Sequence, residues 1–145
     1  MKRRYYLSMV IAVATLLPGI LLAQPGRMRI GRTVDDCAAR ASEFRVSLRR
    51  ALDHSRLDGT AREDELNTQA ARLERNMQKV AEDWNGYHDA RRTRVHVSRA
   101  IEAAQDINRT MLRRRLNDRV QEQWRAVRRE LNHLAEVFEL PKLAW

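Results

Sequence analysis

Apolar residues recur along most of the chain at alternating spacings of three and four, which is the period of an amphipathic helix. No stretch has the strict alternation expected of a half-buried strand. Short polar connections separate the periodic stretches. The pattern therefore predicts an all-α fold, an antiparallel up-down-up-down four-helix bundle over residues 33–140. The predicted helices are 34–55, 60–84, 93–111, whose start the pattern leaves undefined, and 119–139.

Capping and turn residues mark the predicted helix ends. Thr60 and Glu63 form a capping-box pattern, in which the hydroxyl and the carboxylate each accept a hydrogen bond from a backbone amide. Asp58 and Gly59 supply the turn before it, and Gly86 is placed to end the second helix in the left-handed conformation. The predicted N-caps are Thr33, Thr60 and Thr93.

The two halves of the predicted bundle resemble each other at their turns. Residues 56–58 read Arg-Leu-Asp between the first two helices, and residues 115–117 read Arg-Leu-Asn between the last two. This match fits a duplicated helical hairpin. Two independent amphipathic hairpins with polar turns would share it equally.

The first 23 residues are predicted to be a secretory signal peptide. Basic residues 2–4 precede an apolar run over 5–22, and Ala23 is a small residue at the cleavage position. Leu21, three residues before the cut, is not the small residue preferred there, so an uncleaved membrane anchor stays the alternative. The run is short for a membrane-spanning helix. The protein is therefore expected to be exported, either periplasmic or secreted.

Residues on either side of the predicted bundle lack periodicity. Residues 24–32 contain a proline and two glycines and are predicted to be a flexible leader. Residues 141–145 follow the last helix as a C-terminal tail. Trp145 is expected to fold back on the bundle, the alternative being that it presents an apolar end to a partner.

The chain is strongly basic, with 28 lysines and arginines against 19 aspartates and glutamates and a formal net charge of +9. Nearly all the basic residues are arginines, which fits carboxylate or phosphate recognition, the alternative being a codon-composition bias of the source genome. Such clusters could bind anionic lipid or polysaccharide, whereas export argues against nucleic acid. The helix dipole offers a second explanation for the cluster at 113–115. The candidate contacts are Arg49, Arg50, Arg91, Arg92, Arg94, Arg113, Arg114 and Arg115.

A single cysteine, Cys37, rules out an internal disulfide. Its helical spacing with Ala41 and Phe44 favours a buried position, the alternative being a reactive or interchain thiol. Glu130 and His133 have the spacing of a di-metal ligand pair, but such a site needs that motif twice.

The other catalytic and metal-binding patterns are weaker still. His54, His88 and His96 have no metal-ligating neighbours at zinc spacing. The calcium-loop pattern around Gly59 places Arg56 at a ligand position. Because arginine has no side-chain oxygen and carries a positive charge, the pattern does not predict a calcium site. No strained-turn nucleophile or phosphate loop occurs. The sequence therefore predicts a protein that is not an enzyme and has no metal or cofactor.

One segment carries a resemblance to a known family. It reads Ala51-Leu52-Asp53-x-Ser55-x-Leu57-Asp58-Gly59-Thr60-x-x-Glu63-Asp64. Together with later matches around Trp124, this segment resembles an uncharacterised family of exported bacterial α-helical proteins, which implies bacterial origin and export but no ligand or activity.

These observations predict an exported, non-enzymatic helical protein that acts as a protein-interaction or structural module of the cell envelope. Its partner would be an envelope protein or a second copy of the chain. The alternative function is binding of anionic lipid or polysaccharide through the arginine clusters.

Overall fold

Four α-helices make up most of the chain in the computed structural model, which describes residues 23–114 and 116–144. No strand occurs within these ranges, so the predicted all-α fold is confirmed. Residues 1–22 of the predicted signal peptide, Arg115 and Trp145 lie outside the described residues. The helices are α1 (Ala23–Asp53), α2 (Ala61–Glu82), α3 (Ala90–Arg113) and α4 (Asp118–Val137), with a π-helical turn (Asp83–Tyr87) after α2.

The first helix begins about ten residues earlier than the pattern predicts. Residues 24–32, predicted to be a flexible leader, belong to α1. Pro25 and Gly26 lie within this helix as well. Thr33 is not an N-cap, since its hydroxyl donates to the carbonyl of Arg29 at 3.1 Å within the helix. Ile30 packs against the core and thereby ties this part of α1 to the rest of the molecule.

The predicted start of the second helix is confirmed. The Thr60 hydroxyl accepts a hydrogen bond from the Glu63 amide at 3.3 Å. The Glu63 carboxylate accepts from the amide of Gly59 at 2.7 Å, one residue before the position that the capping-box pattern predicts. Gly59 has a φ of 71°, a left-handed conformation that glycine adopts without strain.

The end of the second helix differs from the prediction. Gly86 lies inside the π-helical turn and does not take the left-handed conformation; His88 does, with a φ of 51°. The reason is packing: Trp84 is buried in this turn, and its ring meets that of Phe138 edge to face at 6.1 Å. The turn therefore continues past the predicted end in order to place the tryptophan in the core.

The third helix has a cap that the pattern misses. Asp89 is the N-cap, and its side chain accepts hydrogen bonds from two first-turn amides, at 2.9 and 3.1 Å. Thr93, the predicted cap, is buried inside the helix and donates to the carbonyl of Asp89 at 2.7 Å. Asn117 caps α4 by accepting from the amide of Val120 at 2.9 Å.

The apolar faces predicted from the spacing form one core. α1 packs against α2 and α4, and α3 packs against α2. Trp124 of α4 is 2% exposed and lies against Phe44 of α1, with ring centroids 5.0 Å apart. Cys37 is buried in the same core, as its spacing predicts.

Beyond α4 the chain reverses direction. Glu139 has a φ of 52°, and the amides of Glu139 and Leu140 donate to carbonyls of the last helical turn, at 3.2 and 2.7 Å. This is the hydrogen-bond pattern of a Schellman motif. The residues that follow, here called the return segment (residues 139–144), lie against α3 and α4, with Leu143 buried.

Candidate functional site

A cleft of about 790 Å³ opens at the end of the molecule where the connection between α1 and α2 meets the connection between α3 and α4. We call it the arginine cleft. Arginines from α1 and from both connections line one concave surface. The described residues that line it are Arg50, Ala51, His54, Ser55, Arg56, Leu57, Arg114, Leu116 and Asn117.

The wall from the first connection is held by a buried anchor and short hydrogen bonds. Leu57 is buried in the core. The Ser55 hydroxyl donates to the carbonyl of Leu52 at 2.9 Å and accepts from the amide of Leu57 at 3.0 Å. Arg56 is therefore fixed at its backbone between these two residues, while its side chain is exposed.

His54 is oriented by the same wall. Its Nδ1 lies 2.8 Å from the carbonyl oxygen of Arg50. A carbonyl can only accept, so Nδ1 carries the hydrogen and Nε2 is left as an acceptor. The imidazole thus adds a polar group to a wall that already carries Arg50 and Arg56.

The opposite wall is held by α4. Arg114 is the C-cap residue of α3 and has extended backbone dihedrals, φ −125° and ψ 126°. The Gln121 side-chain amide donates to the carbonyl of Arg114 at 3.0 Å, which fixes the point where the chain leaves α3. Leu116 packs against the core, and Asn117 begins α4.

The cleft has one sign of charge. Among the described residues that line it are three arginines, and no aspartate or glutamate. Arg62 and Arg109 lie in a neighbouring depression together with Arg114, and each of these two pairs with an acidic residue of its own helix. The arginines of the cleft are therefore the ones best placed to accept an external anion.

The predicted arginine contacts divide between the two ends of the molecule. Arg50 and Arg114 line the arginine cleft. Arg49 and Arg113 belong to depressions that adjoin it, and Arg115 lies outside the described residues. The remaining three, Arg91, Arg92 and Arg94, are at the start of α3.

The start of α3 is therefore a separate site. It lies about 35 Å from the end of α3 at 1.5 Å per residue. Arg94 is also engaged, since its Nε donates to the carbonyl of Phe138 at 3.0 Å. The structure brings together only part of the set that the sequence predicts.

Arg56 and His54 line the cleft but are not among the predicted contacts. Both lie in the connection between α1 and α2, outside any run of basic residues. The similarity between residues 56–58 and 115–117 was the available signal, because it places a basic residue at the same point of each turn.

Residues with metal-binding chemistry do not gather elsewhere. Within the described residues, no three histidine, cysteine or acidic side chains form a group that could hold a metal ion. His133 is exposed and Cys37 is buried. None of the described helices has the length and apolar character needed to cross a membrane.

One further polar pair lies beside the π-helical turn. His96 Nε2 is 3.4 Å from Asp83 Oδ2, and both side chains are mostly buried. Within the part of the chain that the structure describes, neither the Asp83 Oδ2 nor the His96 Nδ1 has a hydrogen-bond partner. The pair joins α3 to the π-helical turn.

Comparison of the chain with protein-family models, with curated proteins and with solved structures finds no match. Fold-level likeness therefore carries no information on activity, and function rests on the chemistry of the site. The resemblance around residues 51–64 stays a prediction.

Proposed function

We propose that the protein binds a phosphate or sulfate group in the arginine cleft. The observation that carries the proposal is the convergence of Arg50, Arg56 and Arg114 on one concave surface whose described lining includes no carboxylate. Planar guanidinium groups form paired, charge-assisted hydrogen bonds with such oxyanions.

The size of the cleft indicates more than a bare ion. A volume of about 790 Å³ lies in the range of sites that hold small organic ligands. Leu57 and Leu116 contribute apolar surface to the lining. The ligand we propose is therefore an anionic group carried on a larger molecule, either a lipid headgroup or a polysaccharide.

Charge recognition is better supported than an apolar protein interface. The large apolar side chains that are exposed among the described residues are spread over three helices and the π-helical turn, and isolated residues of this kind are normal on protein surfaces. They are Met28, Val46, Tyr87, Val95, Leu112 and Val137. Binding of an anionic ligand, which the sequence offers as the alternative function, is therefore the function that we propose.

The proposal includes an antiparallel arrangement of the helices. Two contacts between α1 and the α2 region support it: Asp35 accepts from Asn85 at 2.8 Å, and Ser42 donates to Glu74 at 2.7 Å. The earlier residue of α1 pairs with the later residue beyond it, as expected of neighbouring helices that run in opposite directions.

The later helices follow the same rule. The side chain of Arg94 contacts Phe138 at 3.0 Å, and the indole of Trp124 donates to Asn108 at 3.1 Å. Arg62 near the start of α2 donates to Thr110 near the end of α3 at 2.7 Å. An up-down-up-down bundle accounts for these pairs and brings both arginine-bearing connections to one end.

The proposed setting is the cell envelope, after export and cleavage behind Ala23, and the proposed role is binding without catalysis. Expression of the full chain in a bacterium, followed by fractionation and intact-mass measurement, tests the setting. A periplasmic or secreted protein that lacks residues 1–23 is expected. Recovery from the cytosol with these residues attached would contradict it.

The binding proposal is tested by vesicle cosedimentation and by calorimetry with sulfated polysaccharide. The cleft variant Arg50→Gln/Arg56→Gln/Arg114→Gln removes three charges, and the matched control Arg72→Gln/Arg75→Gln/Arg99→Gln removes three exposed arginines of α2 and α3 that belong to no candidate site. We expect roughly a tenfold or greater loss of affinity in the cleft variant, and about twofold or less in the control.

The two ligand sources are separated by the same experiment. Anionic vesicles that bind while sulfated polysaccharide does not identify a lipid, and the reverse identifies a polysaccharide. Binding should weaken steeply with salt in either case. Equal losses in the two variants would reduce the interaction to overall charge and would reject the cleft.

A further inference from the structure

The groove between α3 and α4 holds the return segment in the manner of a bound peptide. α3 and α4 approach each other less closely than the other neighbouring pairs of helices do. Residues 142–144 lie along this groove, where Leu143 is only 4% exposed. The groove is therefore a built site with an occupant in place.

Asn132 holds the backbone of Leu143 at both of its polar groups. The Leu143 amide donates to Asn132 Oδ1 at 2.7 Å, and Asn132 Nδ2 donates to the Leu143 carbonyl at 3.1 Å. The Asn132 side chain is buried. The N–H and C=O of one residue point to the same side only in an extended backbone, so the asparagine acts as the edge of a neighbouring strand would.

The next carbonyl is held by two more groove side chains. Asn108 Nδ2 and Arg128 Nη1 donate to the carbonyl of Ala144, at 3.1 and 3.3 Å. Asn108 is fixed in turn, because its Oδ1 accepts from the Trp124 indole at 3.1 Å. These donors belong to buried residues of α3 and α4. They bind the backbone of the return segment rather than its side chains.

The groove therefore recognises an extended backbone that carries one aliphatic side chain. In the return segment, Leu143 supplies that side chain. Every chain of this protein carries both the groove and a segment that fits it. The segment of a second copy is thus a ligand of matching chemistry.

We propose that the α3/α4 groove is a peptide-binding site which the return segment fills in its own chain, and which the return segment of a second copy fills in a reciprocally exchanged dimer. This proposal is independent of the arginine cleft, whose lining includes none of the residues that hold the return segment. The contacts at Asn132, Asn108 and Arg128 are the same in both forms.

The reversal after α4 provides the hinge. Glu139 is held in the left-handed conformation, which is costly for a residue with a Cβ. If Glu139 took helical dihedrals, the amides of Glu139 and Leu140 would form ordinary helical hydrogen bonds in place of the Schellman bonds. Pro141 restricts Leu140 and stops the helix there. Release of the return segment from its own groove therefore relieves the strain at Glu139, and it directs the segment away from that groove.

The first test uses two variants that complement each other. Asn132→Leu removes the hydrogen bonds from the groove to the return segment but leaves the segment unchanged. Leu143→Asp removes the aliphatic side chain of the segment but leaves the groove unchanged. Each alone should be monomeric. A one-to-one mixture should form a heterodimer by light scattering, because one intact groove meets one intact segment only between chains.

Zero-length crosslinking of a carboxylate to an amine identifies the contact. Lys142 Nζ lies 2.9 Å from Glu136 Oε2, so an exchanged dimer should give a Glu136–Lys142 linkage between isotope-labelled and unlabelled chains. A mixture that stays monomeric, or a dimer linked at other residues, would overturn the proposal. Circular dichroism of each variant establishes that it is folded.

The second test keeps groove and segment intact and changes only the hinge. Glu139→Gly suits the left-handed reversal and weakens a helix, whereas Glu139→Ala does the opposite. We expect the Ala variant to have a dimer association constant roughly tenfold or more above that of the Gly variant. Equal constants for the two variants would contradict the proposed hinge, even if the complementary variants failed to fold.

Discussion

At the scale of single residues, burial decides the chemistry of Cys37. Removal from water raises the pKa of its thiol above the usual range, and the negative charge of Glu130 raises the pKa further. The thiolate is the reactive form, so the folded protein should resist alkylation. We expect iodoacetamide to modify Cys37 only after denaturation, as measured by intact mass.

A second cysteine on the same helix provides the comparison for this prediction. Val46 is 51% exposed, so Val46→Cys should be alkylated at once in the folded protein while Cys37 is not. Rapid modification of Cys37 without denaturant would mean that α1 opens locally, contrary to its place in the core.

Lys142 controls the titration of Glu136. Its hydrogen bond to the Glu136 carboxylate, and then its charge, lower the pKa of that group. The folded-state pKa is depressed, so the stabilisation is present above the ordinary glutamate pKa and is lost as the pH falls through the folded value. Lys142→Met should therefore raise the pKa of Glu136 in an NMR titration.

The control for this titration is Lys79→Met, which removes an exposed lysine of α2. It should leave the Glu136 titration unchanged. An unchanged pKa in the Lys142 variant would show that the return segment is not held against α4 at this point.

At the scale of the elements, the first turns of α1 distinguish the structure from the sequence-based expectation. A Cβ added at Gly31 would meet the Trp84 ring at 3.5 Å, an ordinary contact. Gly31→Ala should therefore raise the free energy of unfolding by about 0.5–1 kcal/mol, because alanine favours a helix. Urea denaturation measures the change.

In an irregular leader the same substitution would have almost no effect on stability. Gly26→Ala, where a Cβ meets nothing within 4 Å, tests the helix without any new contact. If neither Gly26→Ala nor Gly31→Ala changed the unfolding curve, the prediction of a flexible leader would be supported instead.

The cap of α3 gives a second prediction at this scale. Asp89→Ala leaves two first-turn amides without their side-chain acceptor and should cost about 1 kcal/mol of unfolding free energy. Glu102→Ala, an exposed acidic residue in the middle of α3, should change it by roughly 0.5 kcal/mol or less. Equal effects of the two substitutions in urea denaturation would reject Asp89 as the cap.

The helix faces could be predicted from the sequence because spacing alone determines which side chains share a face. Helix ends could not be predicted as well, because several residues compete for each end. Asp89 and Thr93 can both cap, and only the burial of Thr93 decides between them. Gly86 has the conformational freedom to end α2, but the packing of Trp84 extends the turn past it.

The arginine cleft was accessible from the sequence only in part. Arg50 and Arg114 lie in visible clusters, whereas Arg56 stands by itself between Ser55 and Leu57. Its contribution depends on two connections, far apart in the chain, reaching the same end of the molecule. That meeting follows from how the helices pack, which no local pattern records.

At the scale of the whole molecule, the described chain has one core and should unfold as one unit. Phe44 of α1 lies against Trp124 of α4, so Phe44→Ala removes a contact between two helices far apart in the chain. We expect a cost of about 3–5 kcal/mol, with circular dichroism and tryptophan fluorescence giving the same midpoint. Val46→Ala, on the exposed face of α1, should have little effect on the midpoint.

Separate midpoints for the two signals would mean that α1 and α4 do not share one cooperative core. The cleft would then be affected as well, since its two walls come from the connections at the ends of α1 and α3.

The early part of α1 also has a consequence for the proposed export. The predicted cut between Ala23 and Gln24 falls within α1, and proteases act on chain that is locally unfolded. The proposed cleavage would therefore have to precede the formation of this part of the helix. A precursor that folds first would hide its own processing site. The relative rates of folding and cleavage would then decide whether residues 1–23 are retained.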